Sequence, residues 1–384
     1  MGSQYNQQFA SIQELIFGTT PAAAAGQIIR QVGMETIVDA PYLDNPEMRT
    51  DMMTAPGRRS AFRGKVNING MLSYGTFDAY IAAALGQSAW AANVAKVAPM
   101  IIDSAATIAV AATGKTFTRA DGGSFVTDGF AVGDYIEVIG ATASGNNSTF
   151  VISTCAALIL TCSTAVGLVD ETANPAISIR RVVRPSFSIQ EADYGLGAYR
   201  AFLGCVVDTM ELSFKAGGYV ETKFGLIAKK VADEAVTSIF STLTQPNTNT
   251  LNVGWEGNTK LGGVILPNVV GGSLKTSRGL VTSEVCGTQD YYDILPKALR
   301  VTGSLDLYFD SMAQYTNFRN ESDLAFQLNL GGLTNLGYQI DTTRARITGW
   351  KPGSTDTQRL QTVEYESYAP AAGTNTSLMV TRKP

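Results

Sequence analysis

Apolar and polar residues take turns along several stretches of this chain, and a period of two builds strands with one buried and one wet face. Val66, Ile68, Gly70, Leu72 and Tyr74 alternate with Lys65, Asn67, Asn69, Met71 and Ser73. A second series runs through Leu299, Val301, Gly303, Leu305 and Leu307, then Leu324 to Leu330, Tyr338 to Ile347, Gln361 to Tyr368 and Leu378 to Thr381. Helical spacing is clear at Phe77, Tyr80, Ile81, Ala84 and Leu85, which predicts a helix over 76–97. The fold class expected is mainly β (α+β).

The two series repeat one grammar. Val66-x-Ile68-x-Gly70-x-Leu72 leads to a helix, as Leu299-x-Val301-x-Gly303-x-Leu305 leads to a short helical segment with Met312, Tyr315 and Phe318. An alternating strand follows in each (Phe187 and Ile189; Phe326 and Leu328), then a strand opened by Gly-Tyr (Gly218-Tyr219; Gly337-Tyr338). This predicts an internal duplication, with β-sandwich or barrel domains in tandem, each with a flanking helix. The expected organisation is an N-terminal arm (1–20), a first domain in two parts (21–102 and 183–244), a linker (245–262) and a second domain (263–384). Between the parts of the first domain lies an inserted small β-domain, 103–182. It is rich in turn residues and has no charged residue between Glu137 and Asp170.

Composition then removes whole classes of chemistry. The 384 residues contain no histidine, which excludes imidazole acid–base catalysis, His-paired nucleophiles and His-containing metal sites. Lys and Arg number 29 against 33 Asp and Glu, so nothing favours clinging to nucleic-acid phosphates. The four cysteines, Cys155, Cys162, Cys205 and Cys286, form no CxxC motif and are expected as free, mostly buried thiols of a reducing compartment, with Cys155 and Cys162, seven apart, on opposite faces of one strand. Met1 to Gln8 carries no basic-then-apolar leader, and Val94 to Ala112 is too interrupted to cross a membrane, so synthesis in the cytoplasm is expected.

Motif-like patterns reduce to turns. Ala112-Thr113-Gly114-Lys115-Thr116 ends like a phosphate-binding loop, but Ala109 stands where its first glycine must be. Gly195-Leu196-Gly197 meets Arg200 at the third glycine position of a dinucleotide fingerprint. Asp290, Asp293, Asp306 and Asp310 read as solvated carboxylates. No cofactor, metal or catalytic residue is expected.

Two features do ask for a partner. The aperiodic segment 40–62 mixes large apolar and charged residues, and loops of that length usually carry function. Its Tyr42, Leu43, Glu47, Met48, Arg49, Met52, Met53, Arg58 and Arg59 are candidates for contact between subunits. The other feature is a β-protein with many strand edges to hide, for which joining a neighbouring subunit is one solution.

At these residues the chain resembles the tail tube (major tail) proteins of long-tailed bacteriophages. The likeness rests on Glu14-Leu15-Ile16-Phe17-Gly18-Thr19-Thr20-Pro21, Asn45 to Asp51, Gly64 to Leu85, Gly129 to Asp134 with Asn146 to Phe150, and Arg300 to Phe309. The spacing at Leu15-Ile16-Phe17 and the pair Asn45-Pro46 depart from the family pattern. The resemblance implies a structural virion protein, not an enzyme, whose sheets join those of its neighbours into rings that stack into the tube for DNA ejection. With two tube domains per chain, homotrimeric rings of pseudo-sixfold symmetry are expected, a homohexamer being the alternative. Candidates for the strands of the lumen sheet are Lys65, Asn67, Asn69, Arg300, Thr302, Ser304 and Asp306, whichever face of each strand lines the channel, with Tyr219 to Ala228 and Tyr338 to Ile347 as neighbouring strands. Implied partners are other copies, the tape measure, tail terminator and distal tail proteins, and double-stranded DNA in passage, without specific binding and without a membrane. Competing readings are a carbohydrate- or surface-binding fibre or adhesin, and another virion protein such as a tail terminator or decoration protein.

Overall fold

The computed structural model describes residues 6–14, 17–22, 24–48, 50–87, 90, 93–97, 101–105, 107–130, 132, 134–163, 167–182, 185–331, 336–354, 357–369 and 377–383. It is mainly β, with 53% of residues in strands and, among the described residues, two short α-helices. The chain divides into two compact units, Met1–Ala98 with Pro185–Pro384, and Pro99–Arg184.

In the first unit the principal strands are β1 (Gln7–Gln13), β2 (Gly33–Asp39), β3 (Arg63–Met71), β4 (Ser186–Asp193), β5 (Ala198–Lys215), β6 (Glu221–Ala228), β7 (Val269–Ser277), β8 (Arg300–Tyr308), β9 (Leu324–Leu330), β10 (Gly337–Ser354), β11 (Arg359–Ser367) and β12 (Met379–Lys383). Helix α1 (Asp78–Ala84) follows β3, and α2 (Ala313–Arg319) follows β8. Antiparallel pairing makes one continuous run, β2-β3-β6-β5-β7-β8-β11-β10-β9, with β4 and β1 beside the first half of β5.

The alternation fixes which face is buried. In β3 Val66 and Ile68 are wholly buried while Lys65 is exposed. Across the sheet Phe224, Met210, Leu274, Leu305 and Val363 share that core with Phe77, Tyr80 and Ile81 of the α1 region. Each such large side chain contributes about 2–3 kcal/mol by leaving water. Close packing sets some positions: a Cβ on Gly303 would come within 2.4 Å of the Tyr365 ring and of the Ser273 carbonyl oxygen.

The strand grammar occurs twice. β3, α1, β4, β5, β6 and β8, α2, β9, β10, β11 each run strand, helix, strand, 18-residue strand, strand, and the last strand returns to pair with the first. A hairpin strand precedes each set, β2 for β3 and β7 for β8. The β5–β6 ladder is interrupted between Val207 and Thr209, and the β10–β11 ladder between Ile347 and Gly349. The β4–β5 ladder shifts between Phe187 and Ile189, and the β9–β10 ladder between Leu324 and Phe326. Counted from these bulges, Val66 corresponds to Gly303, Ile68 to Leu305 and Ile189 to Phe326. The residue-by-residue match expected from sequence (Gly70 with Gly303, Phe187 with Phe326) is therefore out of step. Bulges add residues that periodicity alone cannot count. The Gly-Tyr pairs are likewise unrelated: Gly218-Tyr219 precedes β6, whereas Gly337-Tyr338 opens β10.

The helix expected over 76–97 is a correction. α1 stops at Ala84 because Gly86 takes φ +82°, and Gly86 and Gln87 donate back to the Ala83 and Ala82 carbonyls (both 2.9 Å). Val94–Lys96 is a strand paired with β12. The stripe Phe77 to Leu85 was a true helical signal; its continuation lay beyond a C-cap glycine.

The span 245–262 lies along the first unit, with Asn249 donating to the Tyr74 carbonyl (2.7 Å), Asn252 buried, and Asn258–Leu261 paired with β9.

The second unit has an eight-stranded sheet around Phe117, Phe125, Phe130, Phe150, Ile136 and Ile179. Cys155 and Cys162 sit on adjacent strands, Thr149–Cys155 and Ile159–Cys162, rather than on one, because a hairpin turn falls between them. Asn146 is fully buried; it donates to the Val169 carbonyl (3.0 Å) and accepts from the Val169 amide (2.9 Å). Among the described residues no helix is long and apolar enough to cross a membrane.

Candidate functional site

The motif-like patterns are turns in the structure. Ala112 to Lys115 joins Ile108–Ala111 to Thr116–Arg119 as a hairpin, with the Lys115 amide donating to the Ala112 carbonyl (3.2 Å). Gly195 to Gly197 joins β4 to β5, and Asp193 accepts from the amides of Gly195 (2.9 Å) and Leu196 (3.2 Å). Asp306 accepts the Thr362 hydroxyl (2.7 Å), and Asp290 lies 3.6 Å from Lys230. These groups are engaged locally and do not converge.

The face of the β2–β11 run opposite the core does form a continuous surface. Residues directly opposite in antiparallel strands project to the same side. One row crosses the sheet as Asn69, Lys223, Glu211, Lys275, Thr302 and Glu366; the next holds Asn67, Gly225, Thr209, Ser277 and Arg300; a third holds Glu221, Ser213, Ser273, Ser304 and Glu364. Six of the seven candidates for the lumen-sheet strands stand in or beside these rows, and Lys65 lies on the same side of β3, opposite Ile227. They belong to β3 and β8, which three strands separate. By the bulge count Lys65, Asn67 and Asn69 correspond to Thr302, Ser304 and Asp306.

Over the three rows together charge is close to balance, Lys223, Lys275 and Arg300 standing against Glu211, Glu221, Glu364 and Glu366, and the row through Glu211 is neutral by itself. Glu211 stands opposite Lys223 on one neighbour and Lys275 on the other. The Arg300 guanidinium donates to Glu366 (2.7 Å) and holds that carboxyl below its ordinary range. Ser273 and Ser304 share a hydrogen bond (2.9 Å) and Asn67 donates to Glu35 (3.1 Å). The alternation Thr209-x-Glu211-x-Ser213 was a legible sign of the central strand, yet β5 and β7 were not among the residues expected here. The expectation that Tyr338 to Ile347 neighbours Arg300 to Phe309 is corrected: β8 pairs with β7 and β11, and β10 lies one strand further out. The long excursion of chain to β11 outweighed nearness in sequence.

Segment 40–62 joins β2 to β3 as an extended hairpin loop. Tyr42 pairs with Arg59 and Leu43 with Arg58, and the Ser60 amide donates to the Pro41 carbonyl (2.7 Å). Asn45 accepts the Glu47 amide (3.0 Å) in a local turn. Met48 and Met52 are 100% and 99% exposed, and Tyr42, Leu43 and Met53 more than half exposed. So much apolar surface on one loop is uncommon without something to cover it. Arg49 lies outside the described residues.

The N-terminal segment is pinned to the same unit. β1 pairs with β4, and buried Glu14 accepts from the Ser186 hydroxyl (2.6 Å), the Ser188 hydroxyl (2.7 Å), the Gly204 amide (2.8 Å) and the Gly18 amide (2.7 Å). Gly18, at φ +78°, makes the turn that brings its amide back to the carboxylate.

What this arrangement can do chemically is present a polar wall of nearly balanced charge on one side and, beyond β2, a loop of exposed apolar side chains. A search of curated proteins found no match. A family model described as phage tail tube protein matches residues 5–367. With that match over nearly its whole length and a mainly β architecture, the chain belongs to the phage tail tube protein family, the structural proteins of the virion tail.

Proposed function

We propose that the chain closes with other copies into rings, that the rings stack into the tail tube, and that the polar face lines the channel for DNA ejection. The observation that carries this reading is the doubled strand grammar within one sheet whose outer face is continuous and nearly balanced in charge. A wall where Glu211 sits between Lys223 and Lys275, and where carboxylates slightly outnumber cations, offers passing phosphates no net positive charge, so DNA slides rather than binds. Two repeats per chain suit three chains per ring, with pseudo-sixfold symmetry. The exposed loop, with Tyr42, Leu43, Glu47, Met48, Arg49, Met52, Met53, Arg58 and Arg59, supplies the contact between stacked rings. Other tail proteins (tape measure, tail terminator, distal tail) then meet the ends and interior of the tube, after synthesis of the chain in the host cytoplasm.

Negative-stain electron microscopy of the purified protein across a concentration series tests this. Hollow rings or tubes with a central channel are expected; folded monomers at every concentration, even with tail-tip proteins added as initiator, contradict it.

A further inference from the structure

Each chain contains one finished junction between repeats and the two open halves of another. Within the chain the second half of β5 pairs with β7, from Thr209 opposite Ser277 to Lys215 opposite Gly271. The corresponding stretch of β10, Gly349–Ser354, pairs with β11 on one side and, among the described residues, with no strand on the other. β2, the counterpart of β7, pairs with β3 and, among the described residues, with no strand on its far side. The bulges fix the correspondence: Thr209 matches Gly349, and Ser277 matches Asp39.

We propose that β2 of one copy adds antiparallel to Gly349–Ser354 of the next, in the register of the internal junction. Gly349 then stands opposite Asp39, Lys351 opposite Ile37 and Gly353 opposite Glu35. This assignment rests on the ring reading above and specifies how the ring closes. The two edges differ from each other, so the contact is head-to-tail and closes a ring instead of a pair.

The side chains on the two edges fit that register. On the polar face Lys351 has Glu35 and Asp39 as its diagonal neighbours, in the place where Glu211 faces Lys275 inside the chain. On the core face the internal junction sets Phe214 opposite Gly272, while the new one sets Ser354 opposite Met34: the large residue has changed strands and the combined bulk is kept. Val38, 37% exposed, meets Trp350, as Thr276, 1% exposed, meets Met210. One difference weakens the new junction. Pro352 takes the place of Leu212, on the alternation whose backbone faces β7 (Ala216 amide to Val270 carbonyl 2.8 Å; Arg278 amide to Asp208 carbonyl 2.9 Å), so one donor is missing. A proline on an open edge also discourages pairing in other registers.

The test is disulfide trapping in the assembled full-length protein. In a Cys286→Ser background, which removes an exposed thiol, Ile37→Cys with Lys351→Cys places two cysteines directly opposite at a non-hydrogen-bonded pair, within disulfide reach. Oxidation is expected to give a covalent oligomer on denaturing gels, at least tenfold more than the out-of-register pair Gly33→Cys with Lys351→Cys. Hydrogen exchange on the unmodified protein supplies a second reading: peptides covering 33–39 and 349–354 should slow about tenfold or more on assembly. Rings that form without the 37–351 cross-link and without that protection overturn the junction and leave the ring reading standing. Failure of the folded, unmodified protein to assemble at all overturns the ring reading, and the junction with it.

Discussion

Asp208 and Thr348 are the extra residues of two β-bulges that interrupt the two 18-residue strands at the same point of the strand pattern. A bulge is a local kink that periodicity does not require, so two at matched positions mark two copies of one unit. They also re-aim each strand: beyond Asp208 the core-facing residues are Met210 and Leu212, and beyond Thr348 the half-buried Trp350 packs on the core, with exposed Pro352 next on the same side.

The repeats are held together by a side-chain cluster as well as by the sheet. Asp78, in the first turn of α1, accepts from the Tyr338 hydroxyl (2.5 Å) and the Arg382 guanidinium (2.7 Å), and Arg382 lies over the Trp90 ring (4.7 Å). Asp78→Asn should lower unfolding free energy by about 1–2 kcal/mol, since the ion pair is only partly buried. Chemical denaturation of the monomer measures this, and an unchanged midpoint counts against the cluster as a tie between repeats.

Glu14 predicts a larger loss. Glu14→Ala strands two hydroxyls and two amides, which should cost about 3 kcal/mol or more, while Glu14→Gln keeps one of the two acceptor oxygens and the side-chain volume and should cost less. Equal melting temperatures for the two variants would show that the carboxylate cradle is not what anchors the N-terminal segment.

In the second unit Glu171 gives a pH signature. Hydrogen bonds from Asn174 (2.8 Å), the Thr142 amide (2.9 Å) and Asn146 (2.9 Å) hold its carboxyl down to about 2 from the ordinary 4.5. The folded value is depressed, so the stabilisation is complete above about 4.5 and is lost as pH falls toward 2. Thermal melts of wild type and Glu171→Gln should therefore differ at pH 7 and converge by pH 2. A difference that persists unchanged at the acid end contradicts this.

The loop makes a prediction about assembly rather than stability. Met48→Ser with Met52→Ser touches residues that pack against nothing in the chain, so melting should shift by less than about 0.5 kcal/mol. Stacking should suffer: short stacks or single rings in electron micrographs, where wild type gives long tubes. Tubes of normal length would remove the loop from the ring–ring contact.

Much of this was legible in the sequence because strands with one wet face write their burial directly into a period of two. Lys65, Asn67 and Asn69, like Thr302, Ser304 and Asp306, could be placed on one face from alternation alone. The strand neighbours were not legible. β8 pairs with β11 across a long excursion of chain, and only the hydrogen-bond ladder decides that. Nor was the end of α1, where Gly86 mattered more than the apolar residues beyond it. The balanced row through Glu211 was missed because each charge looks ordinary on its own strand and acquires meaning only opposite Lys223 and Lys275.

The central claim is that one chain supplies two of six units to a ring. Native mass spectrometry of isolated rings tests it most directly. Three times the chain mass of 40.8 kDa is the predicted value, and a ring of six chains would contradict the account.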